Sequence, residues 1–147
     1  MILYLDTSAL VKKYFKEKNT SEVISAWKSS LGIATSAVAY AELLAAVYRK
    51  TRETRIKKSA VTNVVKLFHE DWSSFIIVAV DNRLNETIHK IIADHGLRGF
   101  DALHLASALT IGSAVADSPA TMKGLSVPAQ TEGLETLALR FKLQGHR

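Results

Sequence analysis

The sequence predicts an α/β fold, a parallel sheet covered by helices on both faces, in one domain spanning residues 1–147. Three observations carry this. Ile2, Leu3, Tyr4 and Leu5 form an apolar run without polar alternation, as expected of a strand covered on both faces. Further strand-like runs recur between amphipathic stretches, the alternation that builds parallel sheets flanked by helices. At 147 residues and 48% hydrophobic content, the chain can bury one core and is too short for two.

The first strand stops at Asp6, and Thr7 and Ser8 lead into residues 9–15. There Leu10, Val11 and Tyr14 fall at helical spacing, with Lys12, Lys13 and Lys16 left for solvent. Asn19 followed by Glu22 reads as a capping box opening a second helix, whose apolar stripe is Val23, Ile24 and Trp27. Residues 32–35 form a second strand, and Ser36 is placed to cap the next helix, over residues 37–50. Residues 49–58 (RKTRETRIKK) hold Arg49, Lys50, Arg52, Arg55, Lys57 and Lys58 against Glu53 alone, and continue into a helix ending near residue 71. Residues 75–80 (FIIVAV) are the clearest later strand, and Asp81 is placed to cap a helix over 83–95. Gly96 and Gly99 bracket a turn, after which residues 100–111 (FDALHLASALTI) form another helix. Residues 114–116 form a short strand running into Asp117, residues 135–139 a final edge strand, and the tail is basic.

Composition narrows the function. The formal net charge of +5 and a pI of about 9.5 favour a polyanionic partner, nucleic acid first among them. Without cysteine there is no disulfide framework and no thiolate metal site. No basic leader opens the chain and no apolar run approaches a membrane span, so a cytoplasmic protein is expected. Neither GxGxxG nor GxxxxGK[ST] occurs, which argues against a phosphate-binding loop.

Four acids draw attention. Asp6 falls at the C-terminal edge of its strand, where open α/β sheets bind ligands, and is equally placed to cap the next helix. Glu42 is the only acid within residues 37–50, and its helical neighbours are Val38, Ala39, Ala45 and Ala46. A charge on that face is costly unless it snorkels to the surface, pairs with an arginine or points inward at a cation. Asp101 opens a helix, a position favoured by the helix dipole. His104, one turn later, is either a hydrogen-bonded structural histidine or part of a site. Asp117 follows a strand as Asp6 does. In a parallel sheet, strand ends and the helix starts after them share one edge, so Asp6, Asp101 and Asp117 can converge there, joined by Glu42. Such carboxylates repel unless a divalent cation sits among them, and an all-oxygen set favours Mg²⁺ or Mn²⁺. That chemistry suits phosphodiester hydrolysis. The basic run at 49–58 is either a solvated face or a surface contacting phosphates.

The stretches LDTSALVKKY at Asp6, AELLAAV at Glu42 and GLRGFDALHLASAL at Asp101 resemble the PIN-domain ribonucleases, most closely the VapC-like toxins of toxin–antitoxin pairs. The resemblance implies a three-layer α/β/α sandwich with a central, mainly parallel five-stranded sheet, Mg²⁺- or Mn²⁺-dependent cleavage of RNA, and an acidic quartet at Asp6, Glu42, Asp101 and Asp117. It also implies a homodimer and a cognate antitoxin whose C-terminal segment covers the cleft. Thr7 and Ser8 match hydroxyl-bearing positions that orient the first acid, or else they cap the helix. At the fourth acid the chain departs from the pattern, with Val115 where Thr or Ser is usual and no leucine until Leu125. A haloacid-dehalogenase-like phosphatase would need an acid where Ser8 stands, and a receiver domain would need an acid pair and a late lysine that are not evident. The alternative from another class is a non-catalytic RNA-binding or protein-interaction module with the same architecture.

Overall fold

Strand β1 (Ile2–Leu5) lies inside the sheet with Leu3, Tyr4 and Leu5 wholly buried, which is why no polar residue interrupts it. The computed structural model describes residues 2–116 and 138–141. Beside β1 runs β2 (Gly32–Ser36), parallel, with Leu3 opposite Ile33. Next comes β3 (Ile76–Val78), parallel to β2, while β4 (Ala138–Phe141) pairs antiparallel on the other side of β1. The order is β3-β2-β1-β4, a mainly parallel sheet of four strands among the described residues rather than the five expected.

Among the described residues six α-helices accompany these strands: α1 (Thr7–Tyr14), α2 (Thr20–Lys28), α3 (Val38–Thr54), α4 (Lys58–Trp72), α5 (Asn85–His95) and α6 (Gly99–Ala116). The twofold alternation of strand side chains sorts them into separate cores. Leu3, Leu5 and Ile33 pack with Ala9 and Leu10 of α1, Leu43 and Val47 of α3 and Phe68 of α4. Tyr4, Ala34 and Val78 point the other way, onto Ala108 and Ile111 of α6. Helix α6 also buries Ala102 and Ala106 against Leu84 and Ile91 on its α5 side. A helix with apolar neighbours on several sides must be apolar nearly all round, as this one is.

Aromatic rings fill the α1–α4 side. Phe68 is fully buried, with Tyr14, Tyr40 and Trp72 within 5.9, 5.6 and 5.5 Å between ring centroids. Asp71 of α4 accepts hydrogen bonds from Lys13 Nζ at 2.6 Å and the Tyr14 hydroxyl at 2.7 Å, and so clamps the end of α1. Lys13 also lies 3.9 Å above the centre of the Trp27 ring of α2, a cation–π contact.

Several element ends differ from expectation for local reasons. Asn19 takes up the left-handed conformation (φ 65°) and makes no side-chain cap, so the Asn19–Glu22 capping box does not form. Thr20 instead accepts from the Glu17 backbone N–H at 2.9 Å. Ser36 does not cap α3: it ends β2, and its hydroxyl is buried with no partner among the described residues. Arg55, at φ 52°, ends α3 inside the basic run, and Ile56 then packs on the core before α4 starts. The strand expected over 75–80 is confined to Ile76–Val78. Asp81 caps a 3₁₀ turn (Asn82–Leu84) that precedes α5. Gly96 closes α5 at φ 62°, its N–H donating to the Ile92 carbonyl at 2.9 Å.

The short strand expected at residues 114–116 is absent, because those residues form the last turn of α6. A three-residue apolar run is ambiguous between helix and strand. Extending an existing helix adds a hydrogen bond for each residue fixed, whereas a new strand needs a partner already in place. The expected edge strand at 135–139 overlaps β4 at residues 138 and 139, and Arg140 and Phe141, expected in the basic tail, continue that strand; residues 135–137, Asp117 and residues 142–147 lie outside the described residues.

Candidate active site

The site begins where β1 ends. Asp6 leaves the strand in extended conformation and caps α1, its Oδ1 accepting from the Ala9 N–H at 2.8 Å. The Ser8 hydroxyl lies 2.9 and 3.0 Å from the two Asp6 oxygens and donates across them. The carboxylate is therefore a cap and is also oriented by a side chain. Thr7, the residue between them, turns elsewhere, and its Oγ1 donates to Oε1 of Glu42 at 2.7 Å.

Glu42 projects from the second turn of α3, a helix whose Ala39, Leu43, Ala46 and Val47 are buried. Its partner on the protein is a histidine, in place of the arginine that was one expectation: Nε2 of His104 lies 2.8 Å from the same Oε1. His104 is buried on α6, and its Nε2 also comes within 3.3 Å of Thr7 Oγ1. The far side of the imidazole meets β1, with Nδ1 2.9 Å from the Tyr4 hydroxyl. Burial pushes that hydroxyl far above its ordinary titration range. The carboxylates of Asp6 and Glu42 push the same way, while contacts with Ser107 and the Ser36 backbone oppose them. Both acids thus act on one buried tyrosine.

Asp101 stands half-buried in the first turn of α6, one turn before His104. Among the described residues, no group of three or more His, Cys, Asp or Glu side chains forms a metal cluster. What the structure draws together is Thr7, Glu42 and His104, beside the Asp6–Ser8 pair. Arg49, Arg52, Arg55, Lys57 and Lys58 are exposed around the α3–α4 junction, while Lys50 pairs with Glu17. No described helix is long and apolar enough to cross a membrane.

Sequence reasoning missed Tyr4 as a member of this site. The available signal was its hydroxyl: it is the one polar atom on a side chain of the buried strand, and a buried tyrosine hydroxyl needs a partner.

A parallel sheet with an acid at the end of its first strand, and a second acid held above it from a flanking helix, defines an α/β domain with a carboxylate-bearing edge. The chain belongs to the PIN domain family, which it matches over residues 3–118. Among curated proteins it is similar to "Ribonuclease VapC45" of Mycobacterium tuberculosis (strain CDC 1551 / Oshkosh), at 29% identity over 111 residues. It is similar to "Ribonuclease VapC49" of M. tuberculosis (strain ATCC 25618 / H37Rv) at the same identity and length. Each alignment covers 76% of this chain and 77% of the relative.

Proposed function

We propose that this chain is a Mg²⁺- or Mn²⁺-dependent endoribonuclease, the cytoplasmic toxin of a toxin–antitoxin pair, acting at the sheet edge where Asp6 stands. The observation that carries this reading is the setting of Glu42. Its Oε1 takes hydrogen bonds from Thr7 and His104, and Oε2 is used by neither. An acid held this way on a mostly apolar helix is oriented for a ligand. Membership of the PIN domain family and two relatives named ribonucleases support RNA as the substrate.

The donor chemistry fits a hard cation, since the acids offer only carboxylate oxygen and the chain has no thiolate. Mg²⁺ keeps several waters and needs only one or two carboxylates, so it does not require a tight cluster of acids. Asp6, Glu42 and Asp101 would hold the ion directly or through water, with Asp117 assisting a second one. When bound, the ion supplies a hydroxide from its own water and offsets charge on the phosphate. The protein's part is to aim the acids: Ser8 and the Ala9 N–H orient Asp6, and Thr7 with His104 orient Glu42. Arg49, Arg52, Arg55, Lys57 and Lys58 contact RNA phosphates without reading bases. A cognate antitoxin and a second copy of the chain complete the partners, in a five-stranded, three-layer form of the fold.

The test is cleavage of labelled total RNA by the purified protein with Mg²⁺, with Mn²⁺ and with EDTA, beside Asp6→Asn. Cutting should need both the metal and Asp6. RNA that is bound but never cut under either metal would leave a binding module in place of the enzyme.

A further inference from the structure

Tyr4 is the polar exception in a buried aliphatic strand, and its hydroxyl stands behind the imidazole that holds Glu42. For a neutral ring beside an ionised carboxylate, the contacts assign the protons. An ionised carboxylate only accepts, so the proton between His104 Nε2 and Glu42 Oε1, 2.8 Å apart, belongs to Nε2. Thr7 spends its own hydroxyl proton on the same Oε1 and can only accept from Nε2. In a neutral ring Nδ1 is then bare and needs a donor. Ser107, the nearby hydroxyl on α6, donates to the Leu103 carbonyl at 2.8 Å. The Tyr4 hydroxyl, 2.9 Å from Nδ1, is the group that remains.

We propose that Tyr4 is a positioning residue: by donating to Nδ1 of His104 it reinforces the Nε2–H form of the ring that Glu42 also selects, and so aims the ring that holds Oε1 of Glu42. The chain of contacts crosses the molecule. It starts inside the sheet on β1, passes through α6 and ends on α3, so it ties the direction of the Glu42 side chain to a buried strand. Without the hydroxyl, Nδ1 loses its donor, the carboxylate alone opposes a ring protonated on Nδ1, and the imidazole loses the contact that aims it at Glu42. The tautomer of a ligand-supporting histidine is ordinarily set in this way by the partner of its other nitrogen. The consequence for metal binding rests on the nuclease reading; the tautomer does not.

The experiment uses the full chain with ¹⁵N-labelled histidine, free of metal, and reads the two His104 nitrogens by long-range proton–nitrogen correlation. The wild type should show a protonated Nε2 and a bare Nδ1. Tyr4→Phe, with its fold checked by circular dichroism, should give mixed tautomers and lose about tenfold or more in Mn²⁺ affinity by calorimetry. A role in packing alone would leave the ring unchanged. A wild-type ring protonated on Nδ1, or on both nitrogens, overturns the proposal, and so does an unchanged ring in a folded Tyr4→Phe protein. Should that variant not fold, the wild-type spectrum alone decides. A wild type that binds no Mn²⁺ would sink the metal reading, while the tautomer comparison still decides the role of Tyr4.

Discussion

His104 and Glu42 lie 62 positions apart in the chain and meet at 2.8 Å, Nε2 to Oε1, although their helices pack on different sides of the sheet. The contact forms at the C-terminal end of β1, where Tyr4 touches His104 and Thr7 touches Glu42. It gives Glu42 one oriented oxygen beside Asp6.

Glu42→Gln keeps the shape of the side chain and removes its charge. Turnover on RNA and Mn²⁺ affinity should both fall by more than the roughly 10- to 100-fold that loss of a supporting partner costs. Unchanged values for both would remove Glu42 from the site.

Thr7 is expected to act through Glu42 and not through Asp6, since its hydroxyl is 2.7 Å from Oε1. Thr7→Val should lower Mn²⁺ affinity by about tenfold, and Thr7→Ser should restore most of it. If serine is no better than valine, the hydroxyl is not what matters there.

Phe68 anchors the aromatic side of the core and is fully buried. Phe68→Ala should cost about 3–5 kcal/mol of stability in urea unfolding. A loss within the scatter of surface changes, about 0.5 kcal/mol, would place the ring outside the cooperative core.

Asp81 and Arg83 form an exposed pair at the start of the 3₁₀ turn, with Nη2 and Oδ2 2.6 Å apart. The Arg83 side chain, and then its backbone N–H, hold the Asp81 carboxyl at about 2 against an ordinary 3.8. A folded pKa below the unfolded one stabilises the fold above the unfolded value, and the effect fades as the pH falls towards 2. Solvent screening keeps that contribution small. Carboxyl titration by NMR should find Asp81 near 2 in the wild type and higher in Arg83→Ala. Equal midpoints would show that the pair does not persist in solution.

Neutralising Arg52 and Arg55 together should weaken RNA binding and make it less steeply dependent on salt, because fewer counterions are released. An unchanged salt slope would make the α3–α4 junction a solvated face only.

Much of this protein can be read from its residues in order. The apolar run at Ile2–Leu5 specifies an interior strand by itself, since a strand covered on both faces has no place for polar alternation. The helical spacing of Leu10, Val11 and Tyr14 located α1, the turn at Gly96 and Gly99 marked where α6 starts, and the lone acid among alanines marked Glu42 as needing a partner. The identity of that partner was not legible. Thr7 serving Glu42 in place of Asp6, and Tyr4 reaching a histidine 100 positions away, depend on how far apart packed elements lie, which no local pattern encodes. The same holds for residues 114–116, where a short apolar run satisfied either period and the helix already formed decided the outcome. Sequence alone determined which residues must be buried and which acids must be matched. Tertiary structure decided which groups match them, because a hydrogen bond is made only between atoms that the packing of the two cores brings within about 3 Å.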